Sequence, residues 1–453
     1  MKWSQLVYSN LRVYFNILLM IVILIALRSV YKEPYPPKNE KDKWQFLVGF
    51  PSENTNTHPP IELFSSKIQV DLPHTLNKEN SAFWYERKMI IPKDTIWQIK
   101  ADDGAQLWVD GERINNLWCN YFYIKGSKDP GNVIIRVLNN AVNGGLKKVE
   151  GFPATYISTI KKLSSPFQLN SFGKLAQQTN SSTIRARQKG VLNFSAWGDS
   201  QGGWDTFMLL TQFLQQEKYD FTIGLGDLTS NGCDASEWQK LARGLQSLSQ
   251  QQQLFLVPGN HDYDGNYDDL YADNFMEFQK FHKQKNSYFS FGNELAVFLV
   301  LDPNKNFPLA IDKSQEKWAV NVMESDAWKK ARWRFVLCHQ VAFGCGWPGY
   351  SGDQFLRNFF TAYAEKNKID FVLSGHIHDY ERVHKQYGSH TTTFLISGGA
   401  GGGLEPIEND ITHNMEKVVK KHHYLDFKLT EHTACIKTFD LNQHLIDSIN
   451  IQK

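Results

Sequence analysis

Five short apolar runs beyond residue 190 of this 453-residue chain each end abruptly in polar side chains of metal-ligating type. VLNFSAW runs into Gly198-Asp199, FTIGL into Gly226-Asp227 and LFLVP into Gly259-Asn260-His261-Asp262. RFVLC runs into His339, and FVLS into Gly375-His376-Ile377-His378. Helical patterns lie between the runs, and strands alternating with helices predict an α/β fold. In such sheets ligands gather beyond the carboxyl ends of the strands, so the pattern predicts that the five ends meet at one place. Glycine precedes four of the five groups, which suits sharp turns with close backbone approach.

The expected ligand set is Asp199, Asp227, Asn260, His339, His376 and His378, with no thiolate among them. Oxygen and imidazole donors suit Mn, Fe, Zn or Co. Six groups exceed the needs of one catalytic tetrahedral site. They fit two ions bridged by one carboxylate, an arrangement that clamps both oxygens of a phosphoryl transfer.

In this order the blocks resemble the five blocks of the calcineurin-like metallophosphoesterase superfamily. Asp379-Tyr380-Glu381-Arg382, the stretch Ser397 to Gly402, and the strand around Tyr288 to Asp302 are similar to its purple acid phosphatase branch. The resemblance covers about residues 190–453. It implies a β-sandwich core flanked by helices, layered α/β/β/α. It also implies that Asp199 and His378 bind a first metal, that Asp227 bridges, and that Asn260, His339 and His376 bind a second. His261 would face the leaving group, oriented by Asp262. The implied cofactors are two divalent or mixed-valence ions (Fe, Mn or Zn). The implied activity is that of an acid phosphatase-like phosphomonoesterase, with a metal-bound hydroxide attacking a phosphate ester. Two positions depart from the pattern. Ser230 stands where the branch carries its iron-binding tyrosine, which implies a protein that is not purple. Gln201 stands where many members have another first-metal histidine, and its amide either ligates or hydrogen-bonds to water. Phosphodiester substrates such as nucleotides or lipid head groups stay open, as does a non-catalytic glycan-binding protein with a decayed metal domain.

Upstream, the pattern from Trp44 to Ile160 is strand, turn, strand, with Asp110-Gly111 as a hairpin signal. It predicts an antiparallel β-sandwich over residues 44–160. ADDGAQLWVDG followed by GNVIIRVLN resembles galactose-binding-like jelly-roll modules, which implies carbohydrate binding or scaffolding. Trp84, Trp108 and Trp118 would stack on sugars or pack in the core. Linkers are expected at 31–43 and 161–190, and the metallophosphoesterase domain at 191–453. Val13 to Leu27 is apolar and bracketed by Arg12 and Arg28. It reads as a signal-anchor, a cleaved signal peptide or a core helix, the first two placing the catalytic domain outside the cytoplasm, periplasmic or extracellular. A formal charge of +2 gives no support to a nucleic-acid scaffold. The five cysteines leave at least one unpaired within the chain. Trp347 and Tyr350, in the loop Phe343 to Gln354, are candidate leaving-group contacts. His384 and His390 read singly as structural residues.

Overall fold

The computed structural model describes residues 43–49, 67–164, 182–263, 274–277, 285–305, 308–406 and 413–453. The apolar run Val13 to Leu27 and the acidic cluster Asp264, Asp268 and Asp269 lie outside them. Among the described residues no helix is long and apolar enough to cross a membrane.

Alternation builds the first half. Strands Ser81–Met89 and Gly131–Asn139 pair antiparallel from Gly131↔Met89 to Asn139↔Ser81 at the centre of a six-stranded sheet. Phe83, Tyr85, Val133, Ile135 and Val137 share one core with Trp97, Ile99 and Phe122 of a facing four-stranded sheet, so the two sheets form a sandwich. The hairpin Gly104–Val109 to Glu112–Ile114 turns at Asp110 and Gly111, both in the left-handed region (φ 51° and 82°), as a type I′ turn demands. Trp84 and Trp108 are only 1% and 0% exposed and pack with Ile134, so neither offers a face to a sugar. Trp118 stacks on Tyr121 and donates its indole N–H to the Cys233 carbonyl at 2.8 Å.

The second half is layered. One six-stranded sheet runs Gln253–Leu256, Phe221–Gly224, Val191–Trp197, His423–Thr430, Thr433–Asp440, Leu445–Gln452; its first three strands are parallel. A seven-stranded sheet holds Ala296–Val300, Trp333–Leu337, Phe371–Ser374 and His390–Ser397 as parallel neighbours. Inward aromatic residues fuse the sheets: Phe194 stacks on Phe221 at 4.7 Å and Phe427 at 4.4 Å, and meets Phe298 edge-on at 5.4 Å. Helices Trp204–Gln216 and Ala235–Gln251 cover one outer face through Phe207, Leu210, Trp238 and Leu241. Helices Lys313–Met323 and Gln354–Asn367 cover the other. Helix starts are set by caps, the Asp234 and Asp312 carboxylates accepting from the backbone N–H of Ser236 and Gln315 at 2.8 Å each. This is the expected α/β/β/α arrangement.

The halves are joined. Cys119 and Cys233 form a disulfide across 114 residues of sequence. Asn80 exchanges two hydrogen bonds with the Leu309 backbone, at 3.2 and 2.9 Å. Ala141 packs with Val341, Tyr350, Ile377 and Ile396. The stretch read as a linker at 161–190 is partly structured. Helix Ile157–Leu163 enters it, and Arg187 binds Asp220 and the Tyr219 carbonyl at 2.6 and 3.0 Å, which lays residues 182–190 against the second half.

Candidate metal centre

Asp199, Asp227 and His376, three of the expected ligands, have left-handed backbones (φ 61°, 47° and 72°). Such φ values cost non-glycine residues about 1–3 kcal/mol each and collect at functional sites. Each lies just past the end of a strand, Val191–Trp197, Phe221–Gly224 or Phe371–Ser374, where the left-handed residue turns the chain. Gly226, at φ 94°, passes so near His339 that a Cβ would lie 2.5 Å from its Nδ1. A Cβ on Gly259 would lie 2.2 Å from Asp227 Oδ1.

The resulting constellation is tight. One ligand atom each from Asp227, His339 and His376 lie within 4.8 Å of one another, all three residues buried. His339 Nε2 is 3.2 Å from Asp227 Oδ2 and 3.2 Å from His376 Nδ1. On the other side of Asp227, His378 Nε2 is 3.5 Å from Asp199 Oδ1. The Gln201 amide nitrogen is 3.3 Å from Asp227 Oδ2 and 3.1 Å from His378 Nε2. Asp227 Oδ2 thus meets both His339 and Gln201, and Gln201 reaches on to His378. Backbone carbonyls orient the imidazoles: His339 Nδ1–H faces Leu225 O at 2.8 Å, and His378 Nδ1–H faces Gly403 O at 2.7 Å. Each Nε2 is thereby left for a metal.

These residues fit metal ions. Among the described residues Asn260 Oδ1 is buried without a hydrogen-bond partner, which is costly unless a cation takes that place. Charge points the same way. Burial alone would depress His339 and His378, yet Asp227 and Asp199 beside His339, and Asp199 beside His378, push both up to about 9. Burial raises Asp199, while His339 and His261 outweigh burial to hold Asp227 below the usual carboxylate range. His376, buried beside His339, is held well below its ordinary value. The cluster draws positive charge, as protons or as metal.

His261 and Asp262 differ from expectation in one respect. The His261 backbone N–H donates to Asp227 Oδ1 at 2.9 Å and its ring Nδ1 faces the Ser230 carbonyl at 3.2 Å. Asp262 does not orient that ring. Its carboxylate accepts from Gly259 N at 2.8 Å and from Thr229 N and Oγ1 at 3.1 and 3.2 Å, tying two ligand loops together. Tyr350 likewise is a buttress: it is buried, bonded to Asp353 at 2.7 Å, and lies edge-on to the His376 ring at 5.3 Å. Trp347 does line the cavity above the cluster, with Gln201, Asp227, Asn260, His261, His376 and His378. His384 and His390 are structural, bonded to Glu416 and to the Ile369 carbonyl. Glu405, which accepts from the His378 backbone N–H at 3.2 Å, went unread in the sequence because nothing local marks it.

Residues 193–380 match the family model of the calcineurin-like phosphoesterases. Curated relatives that the chain resembles are purple acid phosphatases. Purple acid phosphatase 5 of Arabidopsis thaliana is 24% identical over 258 residues, covering 53% of this chain and 60% of that protein. Purple acid phosphatase 1 of Ipomoea batatas is 25% identical over 252 residues, covering 48% and 52%. The chain thus spans between half and two thirds of the length of these curated relatives. The structure of purple acid phosphatase PPD1 from Lupinus luteus seeds shares the fold, with a TM-score of 0.51 at 13% identity over 85% of this chain and 77% of that one.

Proposed function

We propose that the protein is a dimetal phosphohydrolase acting on phosphate monoesters. The observation that carries this is the convergence of Asp227, His339 and His376 beside the orphaned Asn260 oxygen, at the floor of an open cavity. Asp199, His378 and Gln201 would complete the first metal position, and Asn260, His339 and His376 the second, with Asp227 shared. Ions held there supply Lewis acidity towards phosphoryl oxygens and make water acidic enough to ionise near neutrality. The chain does the rest. Donation from Nδ1 to the Ser230 carbonyl leaves His261 Nε2 for the cavity, within reach of a phosphoryl oxygen or of the leaving-group oxygen, to which it would donate when protonated. Strained ligand backbones and carbonyl-bound imidazoles hold the donors in place before substrate arrives. We extend the proposal to location: the catalytic half works outside the cytoplasm. The Cys119–Cys233 bridge supports this, since disulfides persist in oxidising compartments, and so does the apolar run Val13 to Leu27.

The test is hydrolysis of p-nitrophenyl phosphate by folded protein loaded in turn with Mn, Fe, Zn and Co. Turnover with at least one ion is expected, and none with any would overturn the reading. Faster cleavage of bis-p-nitrophenyl phosphate would move the substrate class to diesters.

A further inference from the structure

Among the described residues that line the cavity, which holds about 320 Å³, three are apolar: Ala141 and Val142 from the β-sandwich and Trp347 from the metal-bearing half. They belong to one cluster, in which Val142 and Trp347 pack against buried Ala141, Tyr350 and Ile377. The Trp347 ring meets the Tyr350 and His376 rings at 5.3 and 5.5 Å. It therefore stands beside the metal donors, and the apolar patch runs from it across the joint between the halves. The rest of the lining is polar, His261 and the carboxyl groups of Asp102, Asp103 and Glu405 included.

The backbone that carries this ring is gripped from behind. Glu381 accepts from the Cys345 and Gly346 backbone N–H groups at 2.9 and 2.6 Å, and Lys420 Nζ donates to the Gly346 carbonyl. The peptide units on both sides of Gly346 are thus held, one residue before Trp347. Lys420 Nζ also lies 2.9 Å from Asp379 Oδ2, and a Cβ on Gly346 would lie 1.8 Å from that same oxygen. The grip is built into the sheet. Glu381 is on strand Tyr380–Tyr387, Lys420 follows strand Lys417–Val419, and the two strands pair at Glu381↔Val418. Pro348 then disfavours a helical backbone at Trp347. Glu381 is buried and the Lys420 side chain is 11% exposed, and neither is among the described residues lining the cavity. Charged groups are costly to bury, and here their bonds go to the loop that presents Trp347.

We propose that Trp347 is the specificity surface for the leaving group, favouring phosphate esters of aromatic alcohols over those of small alkyl alcohols, and that Glu381 and Lys420 are positioning residues that act through it. This rests on the phosphohydrolase reading above. With the phosphate group drawn to the metal donors, the far end of the ester meets Trp347 and the patch of Ala141 and Val142. A flat ring there removes apolar surface from water and packs on the indole, whereas a methyl group covers little of it. A loose loop would have to be ordered at each binding event, and the grip on Gly346 removes that cost.

The experiment is calorimetric binding of two non-hydrolysable phosphonates, phenylphosphonate and methylphosphonate, to metal-loaded protein, with metal content read alongside. The wild type should favour the phenyl compound by about tenfold, the worth of one aromatic contact and the area it buries. Trp347→Ala should bring the ratio close to unity. Glu381→Gln and Lys420→Met should each lower it by about threefold, part of that contact, with metal content unchanged. Either variant serves should the other misfold. In the Trp347→Ala background Lys420→Met should leave both affinities where they are, because nothing remains for it to position. A wild-type ratio near unity, a ratio unmoved by both positioning substitutions, or a further loss of phenylphosphonate affinity in that background would overturn the proposal. Metal lost in both positioning variants would also overturn it, assigning the pair to the support of His378. p-Nitrophenyl phosphate is assayed in parallel. Turnover with a ratio near unity overturns the subsite alone, whereas absent turnover overturns the phosphohydrolase reading while the phosphonate ratio still decides the subsite.

Discussion

At the scale of single residues, the site is a set of donors whose protonation and metal binding compete. In the metal-free protein His339 and His378 are pushed up to about 9 and Asp262 up to about 7. A histidine raised in the folded state stabilises below its unfolded value of about 6.5, and that contribution is lost as pH rises through the folded value. A carboxyl raised in the folded state acts in the same direction, its contribution fading as pH rises from about 4 towards 7. The chelator-treated protein should therefore lose thermal stability between pH 6.5 and 9. The metal-loaded protein should lose much less, because ions replace the protons. Parallel melting curves with and without chelator check this, and equal slopes would contradict it. His261 hydrogen-bonds to the cluster through its backbone N–H, which the substitution keeps, so His261→Ala should cut kcat by about 10²–10⁴-fold with metal content unchanged. Metal analysis beside steady-state kinetics reads both, and selective metal loss would refute the assignment. The residues that converge at the cluster were legible because each follows an apolar run. The partners of Asp262 were not, since a carboxylate that bonds Gly259 of its own loop and Thr229 of another leaves no mark in local sequence.

At the scale of elements, strands were readable where burial imposes a period. VLNFSAW is the strand Val191–Trp197 to the residue, and FVLS is Phe371–Ser374. The glycines between strand and ligand are steric requirements. Gly226→Ala would force a side chain into φ 94° with its Cβ against His339. It should cost about 1–3 kcal/mol of stability by denaturant midpoint and disturb the His339–Leu225 bond. A midpoint within error of wild type would deny that the turn needs glycine. The Cys119–Cys233 pairing was unreadable, because its partners are 114 residues apart and lie in different halves. Removing a bridge that closes so long a loop typically costs about 2–4 kcal/mol, so Cys119→Ser should lower the urea midpoint accordingly. The tryptophans stayed open between sugar stacking and the core for a related reason. Trp84 and Trp108 belong to the second face of the six-stranded sheet, and whether such a face is open or covered is a tertiary fact.

At the scale of the whole molecule, two β-rich halves meet over one cavity. The metal-bearing half brings its floor and the sandwich brings one wall. Sequence pattern made each half legible by itself: alternation for the first, strand–helix rhythm for the second. Their docking was not legible, because Asn80 with Leu309, Ala141 with Val341, and Asp102 and Lys147 above the metal donors are contacts between segments with no shared period. In the proposed function Asp227 joins two metal positions into one centre. The most direct measurement titrates chelator-treated protein with Mn²⁺, recording bound metal and p-nitrophenyl phosphate hydrolysis together. Two ions per chain should bind, with activity rising as the second equivalent is filled. Saturation at one ion, or two bound ions without hydrolysis, would contradict it.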